Sequence, residues 1–177
     1  MLSKIRHYAP KSEIKNIYHA LFESHLRYGC QIWFLSNSEF IKDKIEKLQK
    51  KALRFMSFKD LREPSSPLFK EWKILKIKDI VETQNCLLSY SFLKGKLPKS
   101  FDNFFLRCSD IHSNPTRFSR SECLYMPRFK SVKYGLNSII NICVNSWNKL
   151  TEIFESPSQL SLSDLKNKMF NQYISDY

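Results

Sequence analysis

Apolar residues recur at spacings of three and four along most of the chain, as they do on one face of an α-helix. This pattern predicts a mostly α fold with helices over about residues 13–28, 78–93 and 138–150, a helix that contains residues 44–58, and a last helix that begins at residue 161 or 163. Gly29 and Gly95 directly follow two of these segments, where a left-handed residue commonly ends a helix.

The first of these helices is expected to bury one apolar stripe against the rest of the fold. Its members are Ile14, Ile17, Tyr18, Leu21, His25 and Tyr28. On such a stripe, we expect His25 to be a packed, hydrogen-bonded residue rather than a metal ligand or a base.

The helix that contains residues 44–58 combines an apolar face with a basic one. Ser36 and Glu39 have the spacing of a capping box at its start. The expected buried face consists of Ile41, Ile45, Leu48, Ala52 and Phe55. About 100° around the helix, a basic stripe consists of Lys44, Lys47, Lys51 and Arg54. Glu46 with Lys50 adds a pair one turn apart.

The regular pattern is interrupted by a Pro/Ser segment at residues 63–67 and by an irregular polar region at residues 107–137. We therefore predict three segments, which are a helical bundle at 1–60, a helical continuation packed on it at 61–106, and an extension at 107–177 with two helices. For residues 123–129 we predict at most a short strand, which Pro127 would confine to a sheet edge.

The chain has a net charge of +12, and its basic residues are concentrated in the first two thirds. Residues 1–60 carry 12 Lys and Arg against 6 Asp and Glu, residues 61–130 carry 13 against 7, and residues 131–177 carry 4 against 4. This asymmetry favours a polyanionic partner, either nucleic acid or an acidic membrane surface. A lysine-rich, solvated surface explains the same composition.

The five cysteines are widely spaced and form no C-x-x-C pair. Cys108, His112 and Cys123 are the only Cys/His group near a ligand spacing, and a tetrahedral zinc site would need a fourth ligand from elsewhere. We expect no metal site and interpret the cysteines as buried free thiols in a reducing compartment. No segment resembles a secretion signal or is apolar enough to span a bilayer. These features predict an intracellular protein of the nucleus or cytoplasm, neither secreted nor bound to a membrane.

No set of residues has a recognised catalytic spacing. Three glycines, at Gly29, Gly95 and Gly135, cannot form a phosphate-binding loop or a dinucleotide fingerprint. The acidic residues are scattered and include no Asp-Asp pair, whereas metal-dependent polymerases hold magnesium with clustered carboxylates. We therefore predict that the chain is not an enzyme on its own, and we assign it no catalytic residue and no small-molecule substrate.

A succession of short motifs covers nearly the whole chain. In order, they are Tyr28-Gly29-Cys30-Gln31-Ile32-Trp33, Leu48-Gln49-Lys50-Lys51-Ala52-Leu53-Arg54, Pro67-Leu68-Phe69-Lys70-Glu71, Ile74-Leu75 with Asp79-Ile80, Leu97-Pro98 with Phe101, Phe104 and Phe105, His112 with Thr116-Arg117, Trp147-Asn148-Lys149-Leu150, and Leu160-Ser161 with Leu165-Lys166. This succession resembles the C-terminal region of the reverse transcriptase of non-LTR (LINE-type, jockey-like) retrotransposons. Phe34 after Trp33 and Thr151 after Leu150 depart from the family pattern, which commonly has Gly and Pro there.

The resemblance implies that residues 1–60 form a polymerase thumb, the helical subdomain that grips the template–primer duplex, and that the rest is the C-terminal extension. The palm aspartates have no counterpart here, so magnesium would belong to the missing palm, and we expect no cofactor. The implied role is sequence-independent contact with the phosphates of an RNA–DNA hybrid or another duplex. The residues expected to make these contacts are Lys44, Lys47, Lys50, Lys51, Arg54 and Arg27, and Arg6 would extend the same surface.

Three other interpretations stay open. Residues 40–57 could dock into the groove of a protein partner or lie on a membrane surface with the apolar face exposed, and burial of Ile45 and Leu48 would exclude the membrane. The chain could also be a transposon relic with no selected role. Trp33, Trp72 and Trp147 could stack on bases, but their apolar neighbours favour core positions.

Overall fold

The structure is a computed structural model that describes residues 2–36, 38–111 and 122–177. The predicted mostly α fold is confirmed. The α-helices are α1 (Leu2–Ile5), α2 (Lys11–Tyr18), α3 (Ser24–Arg27), α4 (Cys30–Ser36), α5 (Glu39–Met56), α6 (Ser66–Trp72), α7 (Ile77–Leu93), α8 (Cys108–Ile111), α9 (Ile139–Ile153) and α10 (Leu162–Ser175). Short π-helical segments span His19–Glu23 and Val132–Leu136, and 3₁₀ turns span Lys99–Phe101 and Pro157–Gln159.

The predicted strand at residues 123–129 is reduced to a single antiparallel bridge between Arg107 and Leu124. Two backbone hydrogen bonds flank it, from Cys108 N to the Cys123 carbonyl (3.2 Å) and from Tyr125 N to the Leu106 carbonyl (2.7 Å). Within the three described ranges, no strand extends beyond this bridge.

The chain divides into two compact units, one comprising Met1–Val81 with Met169–Tyr177 and the other comprising Glu82–Lys168. The boundaries predicted at residues 60 and 106 do not coincide with this division. The physical reason lies in α6, which buries Leu68, Phe69 and Trp72 in one cluster with Ala52, Leu53 and Met56 of α5. The segment that follows residue 60 therefore completes the core of the first unit.

The C-terminal residue, Tyr177, also packs in the first unit. Its ring contacts Phe69 edge-on, with centroids 6.0 Å apart, and the Lys76 ammonium lies 3.9 Å from the Tyr177 centroid. Its hydroxyl accepts a hydrogen bond from Lys76 N (2.8 Å) and donates one to the Asp79 carboxylate. Burial and the Asp79 carboxylate raise the pKa of Tyr177, so the neutral hydroxyl is retained.

Segments α2 and α3 are joined through the π-helical residues His19–Glu23, and this insertion redirects the predicted apolar stripe. Ile14 and Tyr18 are buried as expected, but Leu21, His25 and Tyr28 are exposed and Leu26 is buried instead. In a π-helical turn, each backbone hydrogen bond joins residues five apart instead of four, so the turn contains more residues than a turn of α-helix. Residues spaced by three and four across this segment therefore no longer lie on one face. The predicted end at Gly29 is confirmed, with φ of +58°.

Helix α5 begins two residues later than the capping-box pattern indicated. Ser36 belongs to α4, and the residue that precedes α5 is Ser38, whose side chain makes no capping hydrogen bond. The capping-box prediction is therefore wrong, because α4 continues through the position that was to begin the next helix.

Helix α9 buries Cys143, Val144, Trp147 and Leu150 in the second unit. Ser138 caps this helix by accepting a hydrogen bond from Asn141 N (3.3 Å). Trp147 is fully buried and donates from Nε1 to the Glu122 carbonyl (2.9 Å). The Asn148 amide bonds both the N–H and the carbonyl of Leu124, each at 2.9 Å.

Candidate nucleic-acid interface

The buried face of α5 is rotated from the face that the sequence predicted. Leu48 is 55% exposed and Ile41 is also exposed, whereas Gln49, Ala52, Leu53 and Met56 are buried. Ile45 is half-buried and packs against the cluster that contains Leu26 and Ile77. The predicted apolar face is thus wrong by roughly one residue, which is about 100° on a helix.

The polar side chain of Gln49 accounts for this rotation. It is fully buried, and its Nε2 donates to the Leu75 carbonyl (2.8 Å) and to the Tyr18 hydroxyl (3.1 Å). Its Oε1 accepts from Ile77 N (3.0 Å), a backbone donor in the first turn of α7 that has no partner within its own helix. Leaving these groups unpaired in the core would cost more than exposing Leu48 does. Hydrophobic periodicity contains no signal for such a residue.

Three of the predicted phosphate-binding cations, Lys44, Lys47 and Lys51, are exposed on one side of α5. Because the buried face is rotated, this side is nearly opposite to the core rather than adjacent to it. In the described part of the chain, none of the three forms an ion pair. Lys44 Nζ lies 4.3 Å from the Phe40 centroid, and Lys51 Nζ lies 5.6 Å from the Phe55 centroid. These ammonium groups are therefore available to an external anion.

Arg54 and Lys50 lie outside this group. Arg54 is half-buried, and its Nε donates to the Glu63 carbonyl (2.8 Å). Lys50 Nζ lies 3.6 Å from the carboxylate of Glu46, which Lys78 also approaches to 3.4 Å. Both side chains thus already have partners within the protein, and a phosphate would compete with those partners.

Arg27 is paired within its own helical segment. Its Nη2 and Nε lie 2.6 and 2.7 Å from the Glu23 carboxylate oxygen Oε1, and His19 Nδ1 lies 2.6 Å from the other oxygen. Glu23 is buried, which on its own would raise its pKa, but the hydrogen bond from His19 and the charges of Arg27 and His19 outweigh burial. The pKa of Glu23 is therefore lowered, and the Arg27 charge is compensated within the fold.

This arrangement predicts a loss of stability in acid. A carboxyl whose pKa is lower in the folded than in the unfolded state stabilises the fold above its unfolded pKa, and that contribution disappears as pH falls through the folded pKa. The free energy of unfolding should therefore decrease as pH falls below 4.5, the ordinary pKa of a glutamate. Urea denaturation at a series of pH values measures this dependence.

The matched control for the acid dependence is Glu23→Gln, which retains the shape of the side chain and removes the charge. The variant should be less stable than the wild type at neutral pH, and the difference should shrink in acid. A difference that stays constant from neutral to acidic pH would contradict the assignment.

Arg6 is placed at the end of α5 rather than on the basic surface. Its Nη1 donates to the Phe55 carbonyl (2.8 Å), one of the carbonyls that lack a partner at a helix C-terminus. Its guanidinium also lies 4.4 Å from the centroid of the Phe58 ring. Sequence spacing gave no indication of this contact, because the two residues are distant in the chain.

The tryptophans are not exposed platforms. Trp72 and Trp147 are buried, and Trp33 is half-buried with its Nε1 donating to the Tyr28 carbonyl (2.8 Å). Two exposed rings do lie beside cations, Phe40 beside Lys44 and Phe58 beside Arg6. Sequence reasoning missed both, although Phe40 precedes Lys44 by one helical turn.

The predicted Cys/His group is only partly within the described residues. Cys108 and Cys123 are buried free thiols, and His112 lies outside the described ranges, as does the Thr116-Arg117 motif. Burial, with a smaller effect from Cys123, raises the pKa of Cys108, which disfavours the thiolate that a metal would bind. Among the residues that the structure describes, no three His, Cys, Asp or Glu side chains converge as metal ligands.

None of the described helices is both long and apolar enough to cross a membrane. No family model matches the chain, and no curated protein or solved structure is significantly similar to it.

Proposed function

We propose that the chain is a fragment of the RNA-directed DNA polymerase of a LINE-type non-LTR retrotransposon, that it lacks the catalytic palm, and that it binds nucleic acid through Lys44, Lys47 and Lys51. The observation that carries the binding role is the placement of three exposed ammonium groups, which form no ion pair with the described residues, on the side of α5 that faces away from the core. The order of short motifs supports the family assignment.

The geometry of α5 suits sequence-independent contact with a polyanion. Ala52, Leu53 and Met56 bury one side in the first unit, so contact with phosphate on the other side needs no rearrangement of the core. Lysine ammonium groups neutralise phosphates as point charges and carry no base information. The expected ligand is the backbone of an RNA–DNA hybrid, and the chain itself is proposed to have no catalytic activity.

Replacing Lys44, Lys47 and Lys51 together with glutamine should weaken binding to an RNA–DNA hybrid at low salt and reduce its salt dependence. Each phosphate contact on duplex contributes about 0.9 to the slope of log K against log salt concentration, so the slope should lose about 2 to 3 units. Fluorescence anisotropy over a series of salt concentrations measures both quantities.

A variant with glutamine at Lys94, Lys96 and Lys99 is the matched control, because these three exposed lysines of the second unit give the same change in net charge. If both triple variants lose affinity equally, binding depends on overall charge rather than on α5. If the wild type does not bind at low salt, the nucleic-acid function is wrong.

The interaction-module alternative makes a different prediction for the same surface. If α5 docks a protein, reversing the charge of Lys44, Lys47 and Lys51 with glutamate should leave binding to nucleic acid unchanged.

The fragment assignment has its own test in the genomic DNA directly upstream, where a reading frame for a palm with paired aspartates is expected. A relic would show neither binding nor such a frame.

A further inference from the structure

Exposed and half-buried apolar side chains lie among the lysines along α5 and just beyond its end. The residues of this Phe–Lys row, spaced by four, four, three, four and three, are Phe40, Lys44, Leu48, Lys51, Phe55 and Phe58. At 1.5 Å per residue, the helical part from Phe40 to Phe55 is about 22 Å long. The rings at the two ends are the most open, since Phe40 is 66% and Phe58 is 55% exposed.

The fold does not account for the two end rings. The core side of α5 is occupied by Ala52, Leu53 and Met56, so neither ring is needed to complete the first unit. Exposed apolar surface that is contiguous and rimmed by polar residues is typical of binding sites.

Phe58 has a left-handed backbone conformation, which is unfavourable for a phenylalanine. It follows the end of α5 with φ of +56°, and Lys59 N bonds the Arg54 carbonyl (3.0 Å) in the pattern of a Schellman motif. Glycine is the usual residue at that position, because a bulky side chain there is strained. The ring lies against His7 edge-on, with centroids 5.1 Å apart, and beneath the Arg6 guanidinium. Phe58 nevertheless stays more than half exposed.

We propose that the Phe–Lys row binds the unpaired nucleotides of a single strand, with bases stacked on Phe40 and Phe58 and phosphates held by Lys44 and Lys51 of the row and by Lys47 beside it. This inference rests on the nucleic-acid binding proposed above and adds unpaired nucleotides as a second ligand beside the backbone of the hybrid. Aromatic rings next to cations are the combination by which proteins bind single strands without reading sequence, since every base has a π face. In a duplex those faces are covered by neighbouring bases, so only unpaired nucleotides gain from the rings.

Because Leu48 is exposed and Ile45 is only half-buried, burial of these residues does not exclude a membrane surface. The position of the lysines nevertheless favours a nucleic acid. An amphipathic helix on a bilayer inserts a continuous apolar face and keeps its cations at the flanks. In the Phe–Lys row, Lys44 and Lys51 stand between the apolar residues, so insertion of Phe40 and Leu48 would carry ammonium groups towards the acyl chains. A strand that presents phosphates and bases in alternation complements the row directly.

The test measures the affinity of three probes for the wild-type chain and for the variants Phe40→Ala, Phe58→Gly and their double variant. The probes are an oligouridine of about 20 residues, longer than the sites of about 4 to 16 nucleotides that single-strand binders occupy, an abasic strand with the same number of phosphates, and an RNA–DNA hybrid of the same length. Each substitution should weaken oligouridine binding at least about fivefold, by the magnitude typical of one base–aromatic stack. Affinity for the abasic strand and for the hybrid should not change.

Two controls separate loss of stacking from loss of folding. Leu61→Ala removes an exposed aliphatic side chain outside the row and should leave all three affinities unchanged. Phe58→Gly places the favoured residue at a left-handed position, so its thermal midpoint should stay within about 5 °C of the wild type.

The outcomes also separate this inference from the proposed function. If the phenylalanine variants bind the hybrid and oligouridine as tightly as the wild type does, the stacking is wrong and the phosphate contacts remain. Absence of binding to every probe would overturn both. A membrane role predicts two other results. The wild type would bind the abasic strand and oligouridine with equal affinity, and it would bind tightly to vesicles rich in phosphatidylserine, whereas the phenylalanine variants would not bind these vesicles.

Discussion

Replacement of Gln49 by leucine is expected to lower the free energy of unfolding by about 3 kcal/mol, although it places an apolar residue in the core. The substitution removes the partner of the Leu75 carbonyl, of Ile77 N and of the Tyr18 hydroxyl. A buried donor or acceptor that loses its partner costs about 1 to 3 kcal/mol, and the larger apolar area of leucine offsets part of the total. Urea denaturation followed by circular dichroism measures the change.

The reciprocal substitution at the adjacent position, Leu48→Gln, is the control. Leu48 is more than half exposed, so its replacement should change the free energy of unfolding by no more than about 0.5 kcal/mol. The apolar face predicted from sequence requires the opposite order, with Leu48→Gln costly and Gln49→Leu neutral or stabilising. A measured order of that kind would show that α5 is oriented as the sequence pattern indicated.

Replacement of Trp147 by alanine should destabilise the second unit by about 3 to 5 kcal/mol, the range typical of a large aromatic side chain removed from a core. Trp147 is fully buried, and its Nε1 is bonded to the Glu122 carbonyl. The variant therefore leaves both a cavity and an unpaired carbonyl. The loss should appear as a lower urea midpoint or, if the two units unfold separately, as an earlier transition of one of them.

Ile153→Ala on the same helix is the comparison for Trp147→Ala. Ile153 is exposed, so its truncation should cost no more than about 0.5 kcal/mol. If Trp147→Ala weakens oligouridine binding while the unfolding transition is unchanged, Trp147 would be a stacking residue rather than a core residue, and the burial described for it would be wrong.

Much of the secondary structure followed from local signals in the sequence. Gly29 and Gly95 follow the ends of α3 and α7 in left-handed conformations, with φ of +58° and +62°. Ser138 and Ser161 accept hydrogen bonds from the first turns of α9 and α10, at Asn141 N (3.3 Å) and Asp164 N (3.1 Å). Each of these signals acts within a few residues, which is why composition and spacing were sufficient to find them.

The sequence was less informative about which side of a helix is buried. In the helical region of α2 and α3, the π-helical residues His19–Glu23 change the angle between successive side chains, and a fixed period therefore misplaces Leu21, His25 and Tyr28. In α5 the period is regular, but a buried glutamine replaces a leucine on the core side. Both errors arise because hydrophobic periodicity assumes uniform geometry and assigns every polar residue to the surface.

The candidate site shows the same division between local and tertiary information. Sequence alone determined that the chain is mostly helical, that it is basic in its first two thirds, and that Lys44, Lys47 and Lys51 share one side of a helix. Sequence spacing also predicted the Glu46–Lys50 pair, which the structure contains. Only the tertiary structure decided that Arg54 is engaged by the Glu63 carbonyl, that Glu23, the partner of Arg27, is buried, and that Phe40 and Phe58 remain exposed. Helix formation depends on neighbours along the chain, whereas the availability of a charge or a ring depends on which distant groups the fold brings to it.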